Sequence, residues 1–187
     1  MTYEAYSGNG NGNSNGYGRR NGTSPSDLRQ LYARQLVDVR QAEHHTARAL
    51  PDMAVVASDE DVASMFRATA SATEIQLARL DRLIRALDLP DGEPDLPELN
   101  GLLADMRTIL KGEFDGDAQG LDTALLRSAR EALRYQIAGY EAACATARRL
   151  GDYRTLDVLL QSLDEELSTD SSFSRLMSRH GRLLRAN

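Results

Sequence analysis

Four polar side chains interrupt otherwise apolar helical stripes in this sequence: Glu43, Gln76, Gln136 and Glu166. Each falls near the middle of its stripe, so four helices set side by side would bring them to one level. A carboxylate facing such an interior is costly unless it is ion-paired, hydrogen-bonded or metal-bound. Two glutamates and two glutamines leave three chemistries open. The amides can donate to the acids and satisfy them as a hydrogen-bonded polar plug. The acids and amide carbonyls can instead hold one hard divalent ion, weakly, with waters completing its shell. A redox-active two-metal centre is the third, and it needs a Glu from each of two helices plus Glu-x-x-His from each of the other two. That i, i+3 spacing is missing: Glu74 is followed by Leu77, Glu131 by Arg134, Glu141 by Cys144 and Glu166 by Thr169. His44 and His45 are adjacent, hence about 100° apart around a helix, and cannot share the face of Glu43. His180 lies far down the chain from mid-bundle, whereas Glu165 and Asp170 stand near Glu166 as further acids.

The elements that must position these residues are long amphipathic helices. Leu28, Tyr32, Leu36, Val39, Glu43, Thr46 and Leu50 recur at three- and four-residue steps, one face of a helix. Ser24-Pro25-Ser26-Asp27 supplies capping chemistry at its start, and Pro51 is expected to kink or end it. Val62, Phe66, Thr69, Thr73, Gln76, Leu80 and Leu87 form a second stripe, which the three prolines of DLPDGEPDLP (88–97) terminate. A short helix over 98–111 and a loop over 112–120 follow. The third stripe runs Leu125, Ala129, Ala132, Gln136, Tyr140, Ala143 and Ala147 to a stop at Gly151. The fourth holds Leu156, Leu159, Leu163, Glu166, Phe173 and Met177. No window alternates with period two. The expected fold is therefore all-α, a ferritin-like four-helix bundle whose long crossover between the second and third long helices carries a short extra helix.

Composition bounds the rest. Six of the fourteen glycines fall in the first 22 residues. Residues 1–26, rich in Asn, Gly and Ser, cannot bury enough apolar surface to offset the entropy of ordering, so a disordered tail is expected before a bundle domain over 27–187. Its tyrosines (Tyr3, Tyr6 and Tyr17) could dock on a protein partner in a larger assembly. A formal charge of −6 argues against nucleic acid as a partner. No apolar run approaches a membrane span, and no signal pattern opens the chain. The lone Cys144 precludes an internal disulfide and fits a reducing cytoplasm. Tyr135, Tyr140 and Cys144 read as core packing, His44-His45 as a surface pair, and the arginine-rich end as a solvated helix face.

Taken in order, LRQLYARQLVDVRQAEHHTARALPDMA, FRATASATEIQLARLDRLIRALD, GLLADM, ALLRSAREALRYQIAGYEAACATARRLG and VLLQSLDEELSTD resemble the YciE/YciF group of ferritin-like bacterial stress proteins, from about Leu28 to Asp170. The resemblance implies a helical homo-oligomer, a dimer or larger, linked to bacterial stress tolerance, and a metal centre by analogy with ferritins. Glu43 matches the family's acid in the first helix, and Asp164-Glu165-Glu166 match the acids of the fourth. Thr69 and Ala72 stand where the family carries His and Glu, with Gln76 retained. Leu133-Arg134-Tyr135-Gln136 replaces Glu-His-Tyr-Glu. The inner two helices thus lack the acids that the outer two keep. The expectation is a non-catalytic oligomer with a degenerate inter-helix metal site at Glu43, Gln76, Gln136 and Glu166. It carries no organic cofactor and at most one weakly bound divalent metal ion. The alternatives are an iron- or manganese-binding bundle with weak oxidase activity that also uses Glu165, and a structural component docked through the N-terminal tail.

Overall fold

A computed structural model describes residues 24–89 and 96–183, and these form five helices: α1 Pro25–Val56, α2 Glu60–Ala86, α3 Pro97–Leu110, α4 Ala118–Leu150 and α5 Tyr153–Leu183. Most of the tail expected over 1–26 lies outside the described residues. Its last two positions are helical, because Ser24 caps α1. The Ser24 hydroxyl accepts the Asp27 N–H at 3.1 Å and the Asp27 carboxylate accepts the Ser24 N–H at 3.3 Å, with Pro25 preset at the first helical position. Pro51 does not end α1. The helix continues to Val56, and Met53 and Ala54 beyond the proline are buried, which offsets the lost backbone bond. α4 likewise begins inside the loop expected over 112–120, capped by Asp117, whose Oδ1 accepts the Gly120 N–H at 2.7 Å. Gly151 takes the left-handed conformation (φ 72°) that stops α4 and lets α5 turn back at once.

Ion pairs and hydrogen bonds set the direction of each helix. Arg40 pairs with Asp81 at 2.5 Å and Arg130 with Asp170 at 2.7 Å, so α1/α2 and α4/α5 are antiparallel hairpins. Ser58, just past α1, sits on Asp122 at the start of α4, while Glu43 meets Gln136, so α1 and α4 are antiparallel too. The end of α2 therefore lies at the opposite end of the bundle from the start of α4. Residues 87–117 must run the full length between them, carrying α3 against α4 and α1. This is the one-crossover arrangement that the helical stripes imply. Among the described residues no helix is long and apolar enough to cross a membrane.

The interior divides into two apolar clusters. One gathers Leu50, Met53, Phe66, Leu99, Met106, Leu126 and Phe173; the other gathers Tyr32, Leu36, Val39, Leu80, Ala143, Ala147 and Leu159. Between them lies the polar level of Glu43. Gly139 shapes the same level: a Cβ there would stand 2.6 Å from Val39 Cγ2, so only glycine lets α4 come this close to α1.

Asp122 locks one end of the bundle. It is 2% exposed, and its two oxygens accept the Ser58 and Asp59 N–H groups at 2.8 and 2.9 Å. Both donors belong to the α1/α2 turn, so α4 holds that hairpin shut. Asp122→Ala leaves the two donors unmet and should destabilise the fold by about 2–4 kcal/mol, lowering the melting temperature by roughly 5–15 °C. Asp122→Asn, which keeps one acceptor, should lose about half as much. Thermal melts followed by circular dichroism check both values.

Candidate functional site

α1, α2, α4 and α5 each bury one polar side chain in the middle of the bundle. Glu43, Gln76, Gln136 and Glu166 are between 0% and 2% exposed. Glu43 is the best satisfied. Its Oε2 accepts from Gln136 Nε2 at 3.0 Å and its Oε1 from the Tyr140 hydroxyl at 2.8 Å. Gln136 and Tyr140 stand four residues apart on α4, one above the other, so a single helix face supplies both donors. Tyr140, expected as core packing with a hydroxyl partner, has that partner in Glu43.

The α2/α5 half is less complete. Gln76 Nε2 reaches Glu165 Oε2 at 3.4 Å, while Gln76 Oε1 and Glu166 Oε2 are buried without a hydrogen-bond partner. Glu165 is not a ligand facing inward. Arg79 grips it with two bonds of 2.6 and 2.8 Å, holding its carboxyl below the usual range. Asp170 is likewise taken, by Arg130 and Arg134. Arg79, Gly139 and Asp122 were not evident as partners from the sequence. The one available signal was the i, i+3 offset that sets Arg79 beyond Gln76 on the stripe's edge.

Two carboxylates buried together disfavour each other's charge. Burial pushes Glu43 well above the ordinary carboxylate range, the charge of Glu166 pushes it further, and the Tyr140 hydrogen bond opposes both. Burial also raises Glu166, with the Gln76 amide pulling it partly back. Burial and the neighbouring Glu43 raise the Tyr140 hydroxyl too, so it stays a donor.

The other candidates sit elsewhere. His44 is exposed, and His45 shares a 3.0 Å contact with Gln41. Cys144 is buried, and burial raises its thiol. The helix end expected to be a solvated face is so at Arg175 and Arg179. His180 is the exception: it is 3% exposed, with Nε2 3.4 Å from Asp59 Oδ2.

A ferritin-type two-metal centre does not fit these residues. Both Glu43 oxygens already accept from protein donors, and no group of three or more His, Cys, Asp or Glu among the described residues could hold a metal ion. Leu133 is buried apolar packing in the cluster beside the polar level. The uncommitted oxygens, Glu166 Oε2 and Gln76 Oε1, fit at most a single hard cation.

Comparisons with known proteins agree with this architecture. The sequence profile of a family described as a domain of unknown function, DUF892, matches residues 27–183. Protein YciF of Escherichia coli K12 is 25% identical over 150 residues, which span 80% of this chain and 89% of that protein. The crystal structure of the E. coli stress protein YciF superposes with a TM-score of 0.76 at 24% identity, over 83% of this chain and 97% of that one. YcfI of Rhodopseudomonas palustris, a candidate structural protein by its description, superposes with a TM-score of 0.70 at 26% identity, over 84% and 98%.

The raised carboxyls give a pH dependence of defined sign. An acid whose folded value is raised binds its proton more tightly in the folded state, so its contribution to stability is lost as pH climbs above the ordinary carboxylate range. Glu166→Gln removes an ionising group whose Oε2 has no partner, and should flatten the fall of melting temperature with pH. Glu43→Gln sets an amide against the Gln136 and Tyr140 donors and should destabilise by about 1–3 kcal/mol where the wild-type carboxyls hold their protons, a deficit that shrinks as pH climbs. Melts of the three proteins across the pH range check this. A wild-type melting curve that rises steadily above the carboxylate range would contradict it.

Proposed function

This chain belongs to the DUF892 family, and we propose that it is a non-catalytic, self-associating helical bundle of the bacterial stress response whose polar centre is structural. The observation that carries the reading is the double acceptance at Glu43. Its lone pairs point at Gln136 and Tyr140, so the oxygens a metal would need are spent on the protein's own donors. Around it, Glu165 and Asp170 are paired with Arg79 and Arg130. The likeness to a relative named a stress protein supports the physiological setting, and the lone buried Cys144 is in keeping with a reducing cytoplasm.

In this reading the centre sets helix register. A polar layer between two apolar clusters penalises any rotation or slip that parts Glu43 from its donors, because a buried carboxylate left unmet costs far more than the bond itself contributes. The four helices are thereby held at one level without a metal.

The unpartnered Glu166 Oε2 and Gln76 Oε1 favour a second reading, one weakly held divalent ion between α2 and α5. Metal analysis by mass spectrometry on the untagged full chain, with melts before and after chelation and after adding Mn(II), Zn(II) or Fe(II), separates the two. The structural reading expects less than stoichiometric metal and a melt that does not move. An ion bound near one per chain, with a gain of about 2.7 kcal/mol at a hundredfold excess over its dissociation constant and its loss in Glu166→Gln, would establish the second.

A further inference from the structure

α1 begins at the end of the bundle where α2 and α4 stop, and the two stops are built alike. Past α2, Asp88 takes the left-handed conformation (φ 51°) and the Leu89 N–H returns to the Ile84 carbonyl at 3.1 Å. Past α4, Gly151 does the same and the Asp152 N–H returns to the Ala147 carbonyl at 3.0 Å. This closure folds the residue after the left-handed one back over the last helical turn. Leu89 and Asp152 thereby come in beside the first turns of α1, and together they border a cavity of about 300 Å³. Arg29 and Ala33, one turn apart on the α1 face that carries Arg40 to Asp81 of α2, form its α1 wall.

The rest of the lining is apolar and incompletely covered. Tyr32 is its buried member and so its inner wall. Leu87 is 38% exposed, and Leu89 and Leu150 are half-buried, whereas Leu36, Leu80 and Leu159 of the adjoining cluster are fully buried. The two charged members are opposite in sign. Arg29 is exposed and makes no ion pair among the described residues. Asp152 gives one oxygen to the Thr155 N–H at 3.2 Å, which caps α5, and has no ion pair among the described residues either. Elsewhere in the bundle such neighbours meet directly, as Arg40 does Asp81, Arg79 does Glu165 and Arg130 does Asp170. Here a cation and an anion face one cavity and stay apart.

We propose that this cavity binds a small apolar zwitterion, of the class of the aliphatic and aromatic α-amino acids. Arg29 takes the carboxylate, whose two oxygens match the guanidinium fork. The uncommitted oxygen of Asp152 takes the ammonium group, and the ligand's side chain covers Leu87, Leu89 and Leu150 against Tyr32. The two protein charges select as well as attract, because a ligand carrying only one charge leaves the other wall unpaired beside it. The volume stands at the small end of ligand cavities, which favours a single amino acid over a longer peptide. Tyr32 lies three turns of α1 away from Glu43, so the site stands whether or not the polar centre is structural.

Isothermal titration calorimetry on the full chain tests it. L-leucine or L-phenylalanine should bind one per chain with a dissociation constant of about a millimolar, the range open to so few atoms at a partly exposed site. Leucinamide lacks the carboxylate, 4-methylpentanoate lacks the ammonium group and glycine lacks the side chain, so each should bind about tenfold more weakly than leucine or worse. Arg29→Ala should weaken leucine about tenfold and leave leucinamide, which offers Arg29 nothing, no weaker. Asp152→Asn should weaken leucine similarly while keeping the cap on α5, so circular dichroism of both variants should match wild type. No saturable binding of either amino acid at tens of millimolar would overturn the site. Leucine binding that neither variant weakens would overturn its place, and 4-methylpentanoate binding as tightly as leucine would overturn the zwitterion as its ligand.

Discussion

One carboxylate organises this bundle. Glu43 is fully buried, and it is tolerated only because α4 presents Gln136 and Tyr140 to its two oxygens. That requirement fixes the rotation of both helices, and their close approach depends on Gly139, where a Cβ would strike Val39. The apolar clusters on either side contribute the bulk of the stabilisation, but apolar packing alone tolerates rearrangement. A buried carboxyl with two fixed donors does not, and the α1/α4 contact inherits its register from that pair.

The same constraint explains the asymmetry of the centre. On the α1/α4 side every polar atom of Glu43 is met. On the α2/α5 side Arg79 draws Glu165 outward, leaving Gln76 Oε1 and Glu166 Oε2 without partners. α2 and α5 are also the pair with the open groove between them, so the weaker half of the polar level and the looser seam of the bundle coincide. Just beyond the groove, the end of the bundle where α2 begins is held differently. There Asp122 grips the backbone of the α1/α2 turn, and His180 approaches the Asp59 that caps α2.

The helices and their buried faces were legible in the sequence because period 3.6 carries them directly. Leu36, Val39, Leu80, Ala132 and Leu159 all lie inside as their spacing demands. The four central polar residues were legible for the same reason, as interruptions of those faces. Their bonding was not. Periodicity reports which way a side chain points but not its rotamer, so it could not tell that Gln76 reaches Glu165, or that Glu165 turns to Arg79 when Glu166 beside it turns inward. Asp122 was invisible because its partners are backbone N–H groups, which every residue carries. Helix ends are less legible where local rules meet tertiary packing: Pro51 is expected to kink or end α1, and the chain beyond it buries Met53 and stays helical.

The family relationship accounts for the scaffold, and the two donors that α4 presents to Glu43 account for a centre that closes on itself. The most direct measurement of that closure is carbon NMR of the glutamate carboxyls, assigned with Glu43→Gln and Glu166→Gln, during a pH titration and then during addition of zinc. The account expects two buried carboxyl signals that titrate above the ordinary range and do not shift when zinc reaches one equivalent per chain. Signals that titrate as ordinary surface carboxyls, or that move together at one equivalent of zinc, would contradict it.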